Sequence, residues 1–331
     1  MKEGVNEMVS CFPDGVYPTM LLPCVSVNGI DYGALEKLLA WYLDHSASGI
    51  FALCHSTEIH CMSMDERISV LSYVKQYMER IRLKSRSWIP VVAAGTYSSS
   101  IEEQAEEICR IHEAGADDVV IITNRLDPNR EGETVFIHNL ESLLKRVPDK
   151  IPLGFYECPQ PYKRVISIRE LILARDSGRF FFMKDTCCDP VMLDKRLECL
   201  CGSRLKLFNA NAQTLLYTLL KGASGYSSCM ANVHPDLYAW LINNYIKYPA
   251  LSRRLQEFLT FSATYEFYAY PLNAKYLLNK YEGVPIEVFS RMRNRDDFDA
   301  YNIIIADQMK SVTDLWRSIL SEPVTSEMMF K

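Results

Sequence analysis

The stretch Phe180-Phe181-Phe182-Met183-Lys184-Asp185-Thr186 runs four apolar residues straight into a lysine, an aspartate and a threonine. A short apolar run that ends in polar residues reads as a strand. Alternation along it puts Phe180, Phe182 and Lys184 on one face, toward either a barrel interior or a helix layer. This run spans 179–183, and seven more surround it, at 17–25, 49–53, 89–94, 118–122, 151–156, 205–208 and 223–229. Helical periodicity fills the gaps, at 32–43, 65–81, 101–114, 134–144, 168–174, 191–200, 214–219 and 235–245. In the first of these Leu35, Leu38, Leu39 and Tyr42 share a face, and in the second Ile68, Leu71, Val74 and Met78 do. Gly115 supplies a stop signal for the third.

Eight strand–helix pairs within about 230 residues is the count of an α/β (β/α)8 TIM barrel. An open doubly wound sheet is the runner-up, but no Gly-x-Gly-x-x-Gly follows the first run and no Walker loop is present. After Tyr248 the pattern is purely helical. The expected organisation is an N-terminal segment 1–13, a barrel 14–248, and a C-terminal helical appendix 249–331 of two or three helices. The charge-rich stretch 283–299 would connect the last of them.

Composition narrows the function. The 331 residues carry 36 Lys+Arg against 41 Asp+Glu, a net charge of −5. That balance argues against bulk nucleic-acid binding, which needs surplus positive charge. Apolar residues at 48% and charged residues at 23% are globular values and exclude wholesale disorder. No apolar run reaches the roughly 18 residues of a membrane span. Residues 1–12 lack the apolar core of a signal peptide. The 11 cysteines then read as reduced thiols in a cytoplasmic protein.

In such a barrel the active site lies at the carboxyl ends of the strands. Lys184 ends the sixth run. A lysine at the inner mouth of a barrel loses hydration, its pKa falls, and the neutral amine can attack a carbonyl. The plainer reading is a lysine snorkelling into water. Tyr156 ends the fifth run, on the strand next to Lys184 in barrel order, where a phenol can shuttle protons; the plainer reading is a core tyrosine. The second run ends Cys54-His55-Ser56-Thr57-Glu58. Ser56 and Thr57, with backbone N–H groups, can hold a carboxylate, and His55 adds a titratable contact. Cys54, His55, Glu58, His60 and Cys61 follow no common zinc spacing, and no metal is expected. Arg125, Arg130, Lys163 and Arg164 sit in the loops after the fourth and fifth runs, where they can bind an anionic tail or simply face solvent. Arg125 and, within the eighth run, Ser227 join the candidate substrate contacts.

Taken together these positions resemble the dihydrodipicolinate synthase / N-acetylneuraminate lyase family of class I aldolases, from about Asp14 to about Gly283. Gly15-Val16-Tyr17-Pro18-Thr19 and Asn28-Gly29-Ile30-Asp31 are similar to the family's first strand and helix. Cys54-His55-Ser56-Thr57-Glu58, with Glu66-Arg67 beyond it, aligns with the Gly-Ser/Thr-Thr-Gly-Glu loop and its Glu-Arg pair. Tyr156-Glu157-Cys158-Pro159 resembles the Tyr-Asn-x-Pro motif, and Met183-Lys184-Asp185-Thr186 the Schiff-base strand. Gly225, Ala231-Asn232-Val233 and the stretch from Pro271 to Lys275 complete the likeness.

The resemblance implies a homo-oligomer and an imine mechanism without metal or organic cofactor. Lys184 would condense with pyruvate or another 2-keto acid, Tyr156 would relay protons, and Ser56 would hold the carboxylate. The sequence departs from the pattern at several points. Cys54 and Thr57 replace both loop glycines, and His55 stands where Ser or Thr is usual. Thr123-Asn124-Arg125-Leu126 lacks the tyrosine relay of dihydrodipicolinate synthases, and Pro161 occupies the place of their aldehyde-binding arginine. Glu157 replaces a small or amide residue, either to meet a substrate or to face outward. The leading function is a Schiff-base aldolase or lyase; the alternatives are a non-catalytic barrel that binds a keto acid or sugar acid, and a true dihydrodipicolinate synthase with an altered proton relay.

Overall fold

The computed structural model describes residues 12–322. The expected N-terminal segment therefore lies almost wholly outside the described residues. The chain order is β1 (Gly15–Val16), β2 (Cys24–Ser26), β3 (Gly29–Ile30), α1 (Tyr32–Asp44), β4 (Ile50–Leu53), α2 (Met64–Ser85), β5 (Val91–Ala94), α3 (Ile101–Glu113) and β6 (Asp118–Ile122). It continues with α4 (Glu133–Arg146), β7 (Leu153–Tyr156), α5 (Ile168–Asp176), β8 (Phe180–Asp185), α6 (Pro190–Leu200), β9 (Lys206–Asn209), α7 (Leu215–Leu219), β10 (Gly225–Tyr226) and α8 (Pro235–Asn244). The appendix holds α9 (Pro249–Ser262), α10 (Leu272–Tyr281) and α11 (Ala300–Ser321).

Eight strands pair in parallel in the order β1-β10-β9-β8-β7-β6-β5-β4. The two ends meet through bridges Val16–Ala47 and Thr19–Phe51. There the Phe51 N–H donates to Pro18 O and the Met20 N–H donates to Phe51 O, each at 3.0 Å. The fold is the expected TIM barrel with its helical appendix. Gly15 and Gly225 are opposed where β1 meets β10. Both have positive φ, and a Cβ on Gly225 would fall 1.9 Å from Gly15 O. Only glycine permits that approach.

The first run behaves differently from the expectation. Pairing is confined to Gly15–Val16 and the single bridge at Thr19, while Cys24–Ser26 turns away into a hairpin with Gly29–Ile30. Pro18 and Pro23 lack the N–H groups that a continuous strand would donate. The sixth run also departs. Leu153 pairs with Phe180 but Gly154 pairs with Phe182, a bulge at Phe181. Phe180 therefore packs on Phe155 at 4.6 Å, and Phe155 packs in turn on Phe136 of α4. Phe182 faces inward, stacked on Phe208 at 4.4 Å and near Tyr17 at 5.3 Å. Only Phe182 and Lys184, not Phe180, share the interior face.

Helix starts follow local chemistry. Ser63 with Glu66 and Ser167 with Glu170 form capping boxes at α2 and α5, and Asp189 caps α6 ahead of Pro190. The appendix folds back onto the barrel mouth. Buried Lys275 of α10 donates to Leu22 O at 2.8 Å and to Phe289 O at 2.6 Å. Glu58, just past β4, bonds Ser290 Oγ and accepts from the Arg291 N–H at 3.1 Å.

Candidate active site

A cavity of about 380 Å³ opens at the carboxyl ends of the strands. Lys184 and Tyr156 share its wall because β7 and β8 pair them in register. The Lys184 Nζ lies 4.7 Å from the centre of the Tyr156 ring and 5.6 Å from that of Phe51. Lys184 is 6% exposed. Burial lowers its pKa from the ordinary lysine value, with Cys54, Cys229, Cys158 and Glu266 pulling the other way. Burial likewise pushes the Tyr156 phenol well up, so it stays protonated and able to give a proton.

The loop after β4 forms the opposite wall. The Thr57 hydroxyl accepts from the Cys54 N–H at 2.8 Å and donates to Ala52 O at 3.1 Å, which closes the turn. Positive φ falls on Glu58 and not on Cys54 or Thr57, so replacing those two glycines strains nothing. Among the described residues the Ser56 and Thr57 N–H groups donate to no backbone carbonyl. The Ser56 hydroxyl donates to Thr19 Oγ1 at 3.0 Å and accepts from the Tyr270 hydroxyl at 2.8 Å. Asn232 donates to Tyr270 Oη at 2.9 Å and to Thr19 O at 2.8 Å, and accepts from the Tyr42 hydroxyl at 2.5 Å. Ser56 is thus placed by a buried chain of polar groups. His55 stacks on His60, and burial first, then the His60 and Lys184 charges, depress its pKa to about 4. It is neutral at pH 7.

Behind the wall that carries Lys184 and Tyr156 lies a buried ion cluster. Glu157 follows Tyr156 and Asp185 follows Lys184, so alternation turns both carboxylates out of the barrel. Arg196 of α6, wholly buried, reaches both: Nη2 donates to Glu157 at 2.6 Å and to Ile166 O at 2.6 Å, and Nη1 pairs with Asp185. Glu157 also accepts from the Ile166 and Thr186 N–H groups at 2.9 and 2.8 Å.

A profile of the dihydrodipicolinate synthetase family matches residues 13–260. The chain belongs to this family. The chain is 25% identical over 210 residues to the 4-hydroxy-tetrahydrodipicolinate synthase 1 of Clostridium acetobutylicum, covering 63% of this chain and 67% of that protein. Among solved structures, a monomeric dihydrodipicolinate synthase variant superposes with a TM-score of 0.80 at 18% identity, covering 93% of this chain and 99% of that one. The dihydrodipicolinate synthase of Acinetobacter baumannii complexed with pyruvate gives 0.77 at 18% identity, covering 92% and 99%. Like other members of the dihydrodipicolinate synthetase family, the chain is a carbon–carbon lyase on a class I aldolase-type barrel. No described helix is long and apolar enough to cross a membrane.

Not every residue singled out for this family member reaches the cavity. Lys184, Tyr156, His55, Ser56 and Lys163 line it. Thr57 is spent on the turn. Arg125 lies outside, over the Tyr97 ring at 4.7 Å. Arg164 is held by Asp127 at 3.1 Å and Glu170 at 2.5 Å. Ser227 is buried beside the wall and does not line it. Glu157 faces outward. Glu266 and Tyr270, which no sequence motif singles out, also line the cavity and enter from the appendix. Tyr270 immediately precedes the stretch from Pro271 to Lys275, but nothing in the sequence there marks a residue that returns to the barrel mouth.

Proposed function

We propose that the protein is a class I aldolase that forms an imine between Lys184 and pyruvate or a related 2-keto acid and makes or breaks a carbon–carbon bond. The observation that carries this is the buried, depressed Lys184 amine facing the protonated Tyr156 phenol in a cavity of small-molecule size. The neutral amine adds to the ketone, and the carbinolamine loses water as Tyr156 supplies a proton. The protonated imine then takes up the electron pair of the bond that breaks at the adjacent carbon, with loss of a proton in the synthetic direction or of the aldehyde in cleavage, and the enamine results. Ser56 and the free N–H groups of its loop hold the keto-acid carboxylate, an arrangement that suits an anion. His55, being neutral, contributes a hydrogen bond and no charge. Thr57 supports the loop, and Arg125 and Ser227, lying outside the cavity, make no contact with substrate. The pyruvate complex of the Acinetobacter baumannii relative supports the choice of keto acid. On the same reading the chain works as a homo-oligomer in the cytoplasm.

Borohydride reduction in the presence of pyruvate, read by peptide mass spectrometry, tests the proposal. The expected result is an adduct on Lys184 that is absent from Lys184→Ala. No adduct with pyruvate or with longer 2-keto acids would leave a barrel that binds such acids without imine chemistry.

A further inference from the structure

We infer that Glu266 selects the second substrate, excluding aldehydes that carry a carboxylate and favouring a neutral aldehyde that carries hydroxyl groups; this rests on the imine reading above. Glu266 comes from the Ala263–Phe267 turn of the appendix, beyond the 13–260 stretch that the family profile matches. It lines the same cavity as Lys184, with Asn211, Ser228 and Cys229 beside it. Its Oε2 accepts from the Cys229 thiol at 2.8 Å. That bond holds one oxygen in place and leaves most of the carboxylate's acceptor capacity to the cavity. Its charge is felt at Lys184 and at Cys188.

The nearby guanidinium groups do not balance this charge. Arg125 lies over Tyr97, Arg164 is bound by Asp127 and Glu170, and Arg196 by Glu157 and Asp185. Among the described residues lining the cavity the remaining lysine is Lys163, whose Nζ donates to Thr186 O at 2.9 Å from an exposed position. An incoming carboxylate would meet Glu266 with no arginine to receive it. A hydroxyl group instead donates to Glu266, a charge-assisted bond of the stronger kind. Ser228, and the one Asn211 amide hydrogen left after its bond to Gln213, offer partners to further hydroxyls. An ammonium on the aldehyde would satisfy Glu266 too, but it would approach the positive imine at Lys184. The favoured partner is therefore neutral. In the bond-forming direction the enamine carbon attacks the aldehyde carbon, the aldehyde oxygen takes up one proton, and water then releases the product from Lys184.

The test measures kcat/KM with pyruvate for glyceraldehyde, succinic semialdehyde and aminoacetaldehyde, in the wild type, Glu266→Gln and Glu266→Asp. Glyceraldehyde should lead succinic semialdehyde by about tenfold or more in the wild type, as a difference of one charged contact allows. Glu266→Gln should erase most of that lead and Glu266→Asp restore part of it. Preference for either charged aldehyde, a ratio that Glu266→Gln leaves unmoved, or turnover of none of the three by protein that traps pyruvate would each overturn the inference. A wild type that traps no pyruvate on Lys184 overturns the imine reading beneath it instead.

Discussion

Replacing Arg196 with methionine takes the cation out of a cluster that holds two carboxylates. Arg196, Glu157 and Asp185 are each 1% exposed or less, so water cannot take over the lost role. Methionine fills much of the aliphatic stem's space and offers no donor. Removing one partner of a buried ion pair costs roughly 3–5 kcal/mol. Glu157 keeps the Ile166 and Thr186 N–H groups, and Asp185 keeps that of Cys187 at 2.9 Å. These surviving donors put the expected loss at the lower end, about 3 kcal/mol. With an unfolding entropy of about 2.1 cal/mol/K per residue over 331 residues, the midpoint falls by about 4 °C.

The pH dependence has a definite sign. Burial raises the Glu157 pKa while Arg196 pulls it back, so the variant's Glu157 is raised further. A carboxyl raised in the folded state costs stability above its unfolded pKa, and the cost fades as it protonates. The deficit should therefore narrow as pH falls from 7 towards 5. Urea unfolding of the wild type, Arg196→Met and the triple variant Arg196→Met/Glu157→Gln/Asp185→Asn at both pH values measures this. The triple variant should recover to within about 1 kcal/mol of the wild type, since neutral groups need no counter-charge. A single variant that loses less than about 1 kcal/mol, or a triple variant no better than the single, would refute the reasoning.

Three further outcomes are expected. Asp118 is buried on the barrel interior with neither carboxyl oxygen partnered among the described residues, and burial, then Asp117, raise its pKa well above the carboxylate range. Asp118→Asn should gain on the order of 1 kcal/mol at pH 7 and flatten the wild type's rise in stability towards pH 5; a loss at pH 7 in denaturant melts contradicts this. Lys184→Met should abolish imine trapping yet stabilise the fold by about 0.5–2 kcal/mol. Because the folded lysine pKa is depressed, its cost is full below that pKa and fades as pH rises from there through the unfolded lysine value, so the gain should shrink in alkaline melts. Tyr270→Phe removes the donor to Ser56 and the acceptor for Asn232. It should cost about 1–2 kcal/mol of stability and raise the pyruvate concentration for half-maximal trapping about fivefold, the equivalent of about 1 kcal/mol; unchanged trapping would show that Ser56 needs no such anchor.

The barrel was legible because each parallel strand is a local apolar run and each helix a local periodicity. Lys184 and Tyr156 were legible for the same reason, since adjacent runs in barrel order bring their ends side by side. The first strand was over-read because apolar content hides the missing donors of Pro18 and Pro23. The Phe181 bulge was invisible because it arises from pairing between two strands, and it reverses the face of Phe180 alone. Arg125 read as a mouth residue from its place after the fourth run, yet Tyr97 offers its guanidinium a ring surface outside the cavity.

The sequence alone determined the class of fold and the neighbouring strand ends that carry Lys184 and Tyr156, because those depend on residue type and on short-range order along the chain. Only the tertiary structure decided the rest of the site. Tyr270 meets Ser56 across 214 residues, and Arg196 meets Glu157 across 39. Such contacts exist only once the appendix folds back over the strand ends and α6 packs behind β7 and β8. Whether Glu157 would touch substrate, and whether any carboxylate would enter the cavity, was settled by that packing. Burial then sets the charge states, lowering Lys184 and His55 and raising Tyr156, and burial belongs to the assembled fold rather than to any stretch of its sequence.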